Sequence, residues 1–364
     1  MNSMMSYYFI YPKGLASLGL AEIEHKLAWL SINDFQFIKL NAHGIEFECS
    51  SQTALTLQSY LKLPTRLLLR IHQSKVRDLP RLYKKILKIN WKDWTAGNQI
   101  EWKVQSAQSR LIHSGKIQDS AQKAYQDYLK ANPVAKKIAT QFYSEQPLSV
   151  YLNLYQDQMQ ISLDLSGRRL DLRQEQLSHQ FKAPLRRSLA AAMVFLTMRS
   201  LSNIRFHLYD PFCGSGTLLH EAETFFQITK RVFASQFIPF FEQTQIPTMS
   251  ETPALPFLSY HGSDLNPIMK KFKKLDFFQM KDDGQSPKVM ISNPPYQKRI
   301  RSSGLEVVNI MKKAKQLNFD YTGLILPIED WQTFRQSLSP LVSQPISNGG
   351  INCEFRLYHL AKVC

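Results

Sequence analysis

Two short segments carry residue types and spacings that could do chemistry. The first is Asp210-Pro-Phe-Cys-Gly-Ser-Gly-Thr217 and the second is Asn293-Pro-Pro-Tyr296. Before the first lies the apolar run Phe206–Tyr209, which reads as a buried strand, and after it Leu218–Ala222 reads as the start of a helix. Gly214 and Gly216 allow a turn with positive φ and close approach of a ligand to the backbone, so the segment predicts a cradle for a nucleotide-like cofactor. Asp210, Pro211, Cys213, Gly214, Gly216 and Thr217 are its candidate residues. A plain strand-turn-helix is the competing reading, because Gly-Ser-Gly is common turn punctuation.

In the second segment, Lys288–Ser292 predicts a central strand, which puts Asn293 at a carboxyl end, where open α/β sheets bind ligands. Two prolines in a row remove two donors and fix φ, so the Asn293 amide oxygen and the Pro294 carbonyl are offered as acceptors, with Pro295 stiffening the turn. An exocyclic amine on a purine is a poor nucleophile. Two acceptors gripping its hydrogens would localise the nitrogen lone pair, and Tyr296 would stack on the ring. The chemistry this suits is methyl transfer to a nucleobase amine, driven by orientation and needing no strong general base. A proline turn that merely closes a strand is the alternative.

A third element supports the cradle. Leu258–Gly262 predicts a second strand ending at Asp264, a carboxylate placed to accept hydrogen bonds from a ribose diol. Asp264 could equally cap a helix that starts near Pro267.

At this point the chain resembles the S-adenosylmethionine-dependent methyltransferases, and Asn-Pro-Pro-Tyr is the form found in those acting on exocyclic amines. More narrowly, it is similar to the THUMP-containing guanine-N2 RNA methyltransferases, in particular the guanine-N2 half of the bacterial 23S rRNA enzyme. The likeness covers nearly the whole chain. It extends through Gly44–Phe47, Thr65–Arg70, His113–Gly115 with Asp119–Ala121, Ile161–Gly167, Ala183–Ala192, Asn348–Cys353 and Tyr358–His359. The resemblance implies a Rossmann-like α/β catalytic domain behind an α+β ferredoxin-like and THUMP RNA-binding region. It also implies S-adenosylmethionine as cofactor and RNA as partner, large-subunit rRNA first and tRNA second. An acid contacting adenine belongs to the family pattern, and Asp282 fits it best, with Asp276 as second choice. The chain departs from the family in the short stretch between Asp264 and Asn293 and in Gln297, where the family commonly has glycine. These departures imply a shallow cofactor pocket. They keep a non-catalytic RNA-binding protein in view, alongside a DNA adenine-N6 methyltransferase that would use the same clamp.

The organisation expected is a ferredoxin-like unit over 1–59, a THUMP unit over 60–165, a polar linker over 166–184 and the catalytic domain over 185–364, opened by a helix over 185–201. Between Asp264 and Asn293 the pattern predicts a short helix over 268–275 and a short strand over 276–280. With 364 residues, 44% of them hydrophobic, the chain can bury a sizeable core and is not a disordered segment. Its net charge of +16 is unevenly spread. Residues 60–145 hold 17 Lys or Arg against 6 Asp or Glu, whereas residues 1–59 hold 3 against 5, a footprint of phosphate binding. Lys75, Arg77, Arg81, Lys84, Lys85 and Lys88 interleave with Leu79, Leu82, Ile86 and Ile89, predicting a helix with one cationic face for RNA or solvent. Trp91, Trp94 and Trp102 follow as core or as stacking platforms for bases. Cys49, Cys213, Cys353 and Cys364 form no close-spaced pair, so neither a metal site nor a disulfide framework is expected. A cytoplasmic setting without membrane attachment is the simplest expectation.

Overall fold

The computed structural model describes residues 4–95, 97–133, 147–173, 185–249, 251–295, 306–332, 334 and 339–360. Two seven-stranded sheets organise them. The first is built from β1 (Met5–Ile10), β2 (Gln36–Asn41), β3 (Gly44–Cys49), β4 (Arg66–Lys75), β5 (Ile100–Ala107), β6 (Leu148–Tyr155) and β7 (Gln158–Asp164). Its helices are α1 (Ala16–Leu30), α2 (Ser51–Tyr60), α3 (Leu79–Leu87), α4 (Trp91–Thr95) and α5 (Ser114–Ala131). The strand order is β2-β3-β1-β4-β7-β6-β5. Strand β4 joins the halves: Arg66–Leu69 pairs with β1, and Leu68–Lys75 pairs with β7. The ten residues of β4 are long enough to serve both neighbours, so the strands expected for two separate units lie in one continuous sheet. Residue 59, the expected boundary, lies inside α2.

A hairpin forms between β6 and β7, with Gln156 and Asp157 both at positive φ, the geometry that matches strand twist in a two-residue turn. Helix α3 is capped by Asp78, whose carboxylate accepts from the Arg81 N–H at 2.8 Å. It buries Leu82 and Ile86 and leaves Arg81, Lys84 and Lys85 exposed, with Lys88 exposed just past its end. Trp91 and Trp102 are core residues, edge to face at 5.7 Å, and Trp94 packs on Phe240 at 4.8 Å. Packing accounts for Trp91 and Trp102, while Trp94 is half-buried.

The second sheet holds β8 (Phe206–Asp210), β9 (Phe257–Asp264), β10 (Lys273–Lys274), β11 (Lys288–Ser292), β12 (Tyr321–Pro327), β13 (Val342–Asn348) and β14 (Ile351–His359). Helices α6 (Arg187–Ser200), α7 (Thr217–Glu223), α8 (Val307–Gln316) and α9 (Ile328–Gln332) accompany it. The order is β10-β9-β8-β11-β12-β14-β13, parallel from β10 to β12, with β14 antiparallel to both its neighbours. The order reverses direction at β8, so the crevice between the carboxyl ends of β8 and β11 is a topological switch point. The helix expected over 185–201 is present as α6, and every residue from Ser188 to Met198 is buried. The N-terminal unit covers its other side, with His25 of α1 5.7 Å from Phe195.

Between β9 and β11 the expected helix over 268–275 and strand over 276–280 do not form. The chain makes only the two-residue β10 and a 3₁₀ turn at Phe277–Gln279, capped by Asp276, which accepts from the Phe278 N–H at 3.0 Å. Four lysines crowd positions 270, 271, 273 and 274, and Phe272 is the one apolar side chain among them. Its ring enters a hollow where a Cβ on Gly216 would meet it at 2.2 Å and one on Gly262 at 2.4 Å. That docking pulls the segment onto the sheet.

The described part of the expected linker, 166–173, is largely packed, with Arg168 and Leu172 exposed. Arg231 donates to the carbonyls of Ser166, Arg168 and Arg169, and Leu170 and Asp171 are buried. Arg173 donates to the Lys62 carbonyl at 3.0 Å and to Glu221 of α7 at 2.5 Å, and Arg187 reaches the same carboxylate at 3.3 Å. Glu22 accepts from the N–H groups of Lys62 and Leu63, while Lys26 donates to the Phe225 carbonyl and Lys62 to that of Gln227. These buried ions join the two sheets. Glu221 is fully buried, so Glu221→Ala removes the carboxylate that two guanidiniums share; urea denaturation is expected to give a loss of about 3–5 kcal/mol. A change below 1 kcal/mol on the same scale would mean the junction is not structural.

Candidate active site

Strand β8 is buried along Phe206 and Leu208 and delivers Asp210 to the switch point. The turn after it is stitched to the end of β9: Cys213 N–H donates to the Ser263 carbonyl at 3.0 Å, and Gly214 N–H donates to the Asp264 carboxylate at 3.0 Å. Gly214 and Gly216 both have positive φ, +51° and +73°, which explains glycine at these two positions. Gly216 closes the turn by donating to the Cys213 carbonyl at 2.7 Å, and the hydroxyls of Ser215 and Thr217 bond at 2.8 Å where α7 starts. The Cβ side of Gly216 faces Phe272, so this glycine makes room for a side chain of the protein.

Asp264 does not cap a helix; no helix follows it. Its second oxygen accepts from Asn266 N–H at 2.9 Å. Each carboxylate oxygen can accept more than one hydrogen bond, and the residue is half-buried, so capacity for a ligand hydroxyl remains. The apolar side chain of Leu265 beside it is 60% exposed, a surface that a flat ring could cover. No sequence reading singled it out; its position right after the strand-end acid was the available signal.

Strand β11 carries Asn293, Pro294 and Pro295 to the same crevice. Pro294 is buried, and Asn293 and Pro295 are half-buried. Tyr296 and Gln297 lie outside the described residues. The two segments are tied directly: the Ser292 hydroxyl donates to the Asp210 carboxylate, which also accepts from Phe212 N–H at 3.3 Å. Sequence reasoning missed Ser292, although a hydroxyl at the end of a strand next to Asn293 was the visible clue. Burial pushes the Asp210 carboxyl up to about 7, with the Asp264 charge adding to the effect and the two hydrogen bonds opposing it. Burial also pushes the Cys213 thiol up, as do the charges of Asp210 and Asp264, so Cys213 is a packing residue and not a nucleophile.

Asp282 is not brought to this cluster. Its exposed carboxylate pairs with the buried Lys288 ammonium and accepts from Asn318 at 2.6 Å. Lys288 opens β11 and Asn293 follows its last residue, a separation of roughly 16 Å at the usual rise per residue. The Lys288 hydrogen bond, followed by that from Asn318, lowers the Asp282 carboxyl to about 2, in keeping with a structural ion pair. Asp276 stands two residues beyond β10, which pairs with Ser263 and Asp264, and so is the acid near the carboxyl ends. The sequence could not separate them because the position of the shortened strand depends on where Phe272 docks.

Among the described residues no group of three or more His, Cys, Asp or Glu could hold a metal ion, and no helix is long and apolar enough to cross a membrane.

Comparison with known proteins adds the following. Residues 176–269 match the family model UPF0020, described as RMKL-like, methyltransferase domain. Two curated relatives are each named Ribosomal RNA large subunit methyltransferase K/L. The one from Colwellia psychrerythraea is 31% identical over 199 residues, covering 53% of this chain and 26% of that protein. The one from Pseudoalteromonas translucida is 26% identical over 360 residues, covering 88% of this chain and 49% of that protein. The chain thus spans half or less of the length of these relatives. Among solved structures, SMU.472, crystallised with SAH, superposes with a TM-score of 0.74 at 17% identity over 99% of both chains, a likeness of fold.

Asp210 offers a direct check on the site's electrostatics. Its pKa rises from 3.8 to about 7 on folding, so its contribution to stability is full below about pH 4 and declines as pH rises through 7. Asp210→Asn should flatten that decline, seen as a smaller fall in Tm between about pH 5 and about pH 8 than in the parent. Parallel curves for the two proteins would show that Asp210 is ionised throughout.

Proposed function

We propose that this chain is an S-adenosylmethionine-dependent methyltransferase acting on the exocyclic N2 of a guanine in RNA, with large-subunit rRNA as its substrate. The observation that carries this reading is the meeting of the Asp210–Thr217 turn and the Asn293-Pro294 segment at one switch point, joined by the Ser292 to Asp210 hydrogen bond. The names of the two curated relatives support rRNA as the substrate.

The residues present fit the cofactor. The Asp264 carboxylate retains acceptor capacity for a ribose diol, Leu265 offers an exposed apolar side chain, and Asp276 stands at the end of the adjacent strand for the adenine side. The cofactor, when bound, supplies an electrophilic methyl on a sulfonium. The chain supplies orientation. Asn293 Oδ1 and the Pro294 carbonyl accept the two N2 hydrogens, which turns the nitrogen lone pair toward the methyl, and Tyr296 stacks on the base. The N2 proton passes to solvent after transfer. A guanine flipped from structured RNA would enter this crevice, while Arg81, Lys84, Lys85 and Lys88 on and beside α3 hold backbone phosphates.

Asn293→Ala is expected to lower turnover on rRNA by about 100-fold while leaving RNA affinity within about twofold. Full activity in this variant would sink the clamp assignment. The shortened segment between β9 and β11 favours one rival, an RNA-binding protein without catalysis, and calorimetry separates the two. Heat of binding for S-adenosylmethionine in the micromolar range supports the enzyme; none at millimolar ligand supports the rival. Nucleoside mass spectrometry of rRNA and tRNA from a deletion strain then shows which RNA loses N2-methylguanosine.

A further inference from the structure

A cleft of about 370 Å³ lies away from the switch point, walled by the starts of β5 and β6 and by the turn after β7. That volume is at the low end of the range for ligand sites, roughly 300–1,000 Å³. Four cationic side chains line it: Arg66, Lys103, Arg168 and Arg169. Glu101, also in the lining, pairs with Lys103.

Two of the four are built in. Arg169 is fixed by a two-pronged bond to the buried Asp171, using Nε at 2.9 Å and Nη2 at 2.6 Å. Arg66 is fixed through Nη1 to the fully buried Asp164 and to the Gly167 carbonyl. Each guanidinium has five N–H donors. The bonds just named use Nε and Nη2 of Arg169 and Nη1 of Arg66, so donors on other nitrogens remain for an incoming anion. The turn that presents Arg168 and Arg169 is itself clamped, because Arg231 caps three of its carbonyls and the Ser166 hydroxyl accepts from Leu67 N–H at 2.7 Å. Guanidiniums held in place before binding lose little freedom on meeting an anion, and their planar fork matches the oxygens of a phosphate.

We propose that this cleft holds a phosphate of an RNA strand, a contact separate from the exposed cations of α3 and from the candidate active site. The proposal rests on the RNA reading given above. Leu172 and Ser149 also line the cleft, an apolar and a hydroxyl side chain that the attached sugar could meet.

The test uses Lys103→Gln combined with Arg168→Gln in the full chain; Glu101, the acid that Lys103 pairs with, is exposed enough to be hydrated without it. Short oligoribonucleotides labelled at the 3′ end, with either a 5′-phosphate or a 5′-hydroxyl, are titrated at several salt concentrations by fluorescence anisotropy. The double variant should bind about tenfold more weakly, with a salt slope smaller by about one, at an unchanged Tm. Weakening with both oligonucleotides identifies an internal phosphate; weakening confined to the 5′-phosphorylated one identifies the strand end. Arg168→Lys in the same background should recover part of the loss. A second variant, Lys84→Gln with Lys85→Gln, serves as the reference for RNA binding. If it weakens binding and the cleft variant does not, the cleft assignment is overturned and the RNA reading stands. If the parent protein binds neither oligonucleotide nor rRNA, the RNA reading falls and the cleft proposal with it.

Discussion

The structure hangs on one buried carboxylate. Glu221 sits on α7, the helix that leaves the glycine turn, and is held by Arg173 from the segment that connects the two sheets and by Arg187 at the start of α6. Arg173 also grips the Lys62 carbonyl, so the same guanidinium touches the N-terminal unit and the helix behind the candidate cofactor turn. A charge with no access to water is tolerable only when fully paired, which makes this geometry all-or-none. The position of the turn is therefore tied to the N-terminal sheet.

The junction is reinforced on its flank by residues that are polar in sequence and buried in space. Burial pushes the Lys62 ammonium down to about 7, with Arg173 adding to the effect and Glu221 and Glu22 opposing it. Lys26 lies over the rings of Phe226 and Phe225 at 4.1 and 4.4 Å, where aromatic faces partly replace lost hydration. The segment beyond α7 repays these contacts by lying across the N-terminal unit: Thr229 N–H donates to the Ser59 carbonyl, and Met249 N–H donates to the Tyr60 hydroxyl.

The candidate site shows what shortening does to a doubly wound sheet. With no helix between β9 and β10, Phe272 takes the place a helix side chain would fill, and two glycines, Gly216 and Gly262, give it space. The crevice between β8 and β11 is untouched by that change because its walls are central strands. The edge strand β10 and the end of β9 carry the consequence; the central strands that end at Asp210 and Ser292 do not.

The sequence by itself determined the elements whose signals are local. Both chemical segments end strands as expected, since an apolar run followed by Gly or Pro can do little else. The strands of the hairpin at Gln156–Gln158 and the cap of α3 at Asp78 follow from turn and capping chemistry within a few residues. Only the tertiary structure decided the rest. Trp91 and Trp102 became core because β5, α4 and α5 converge on them. The basic stretch at 166–173 became a packed turn because Arg231, some sixty residues on, caps its carbonyls. Asp282 left the site because Lys288 needed a counterion at the amino end of β11, and Ser292 entered it because Asp210 sits across from it on β8. A carboxylate's neighbours along the chain do not by themselves reveal which group it will meet, and for Asp210 and Ser292 the partner was set by strand order.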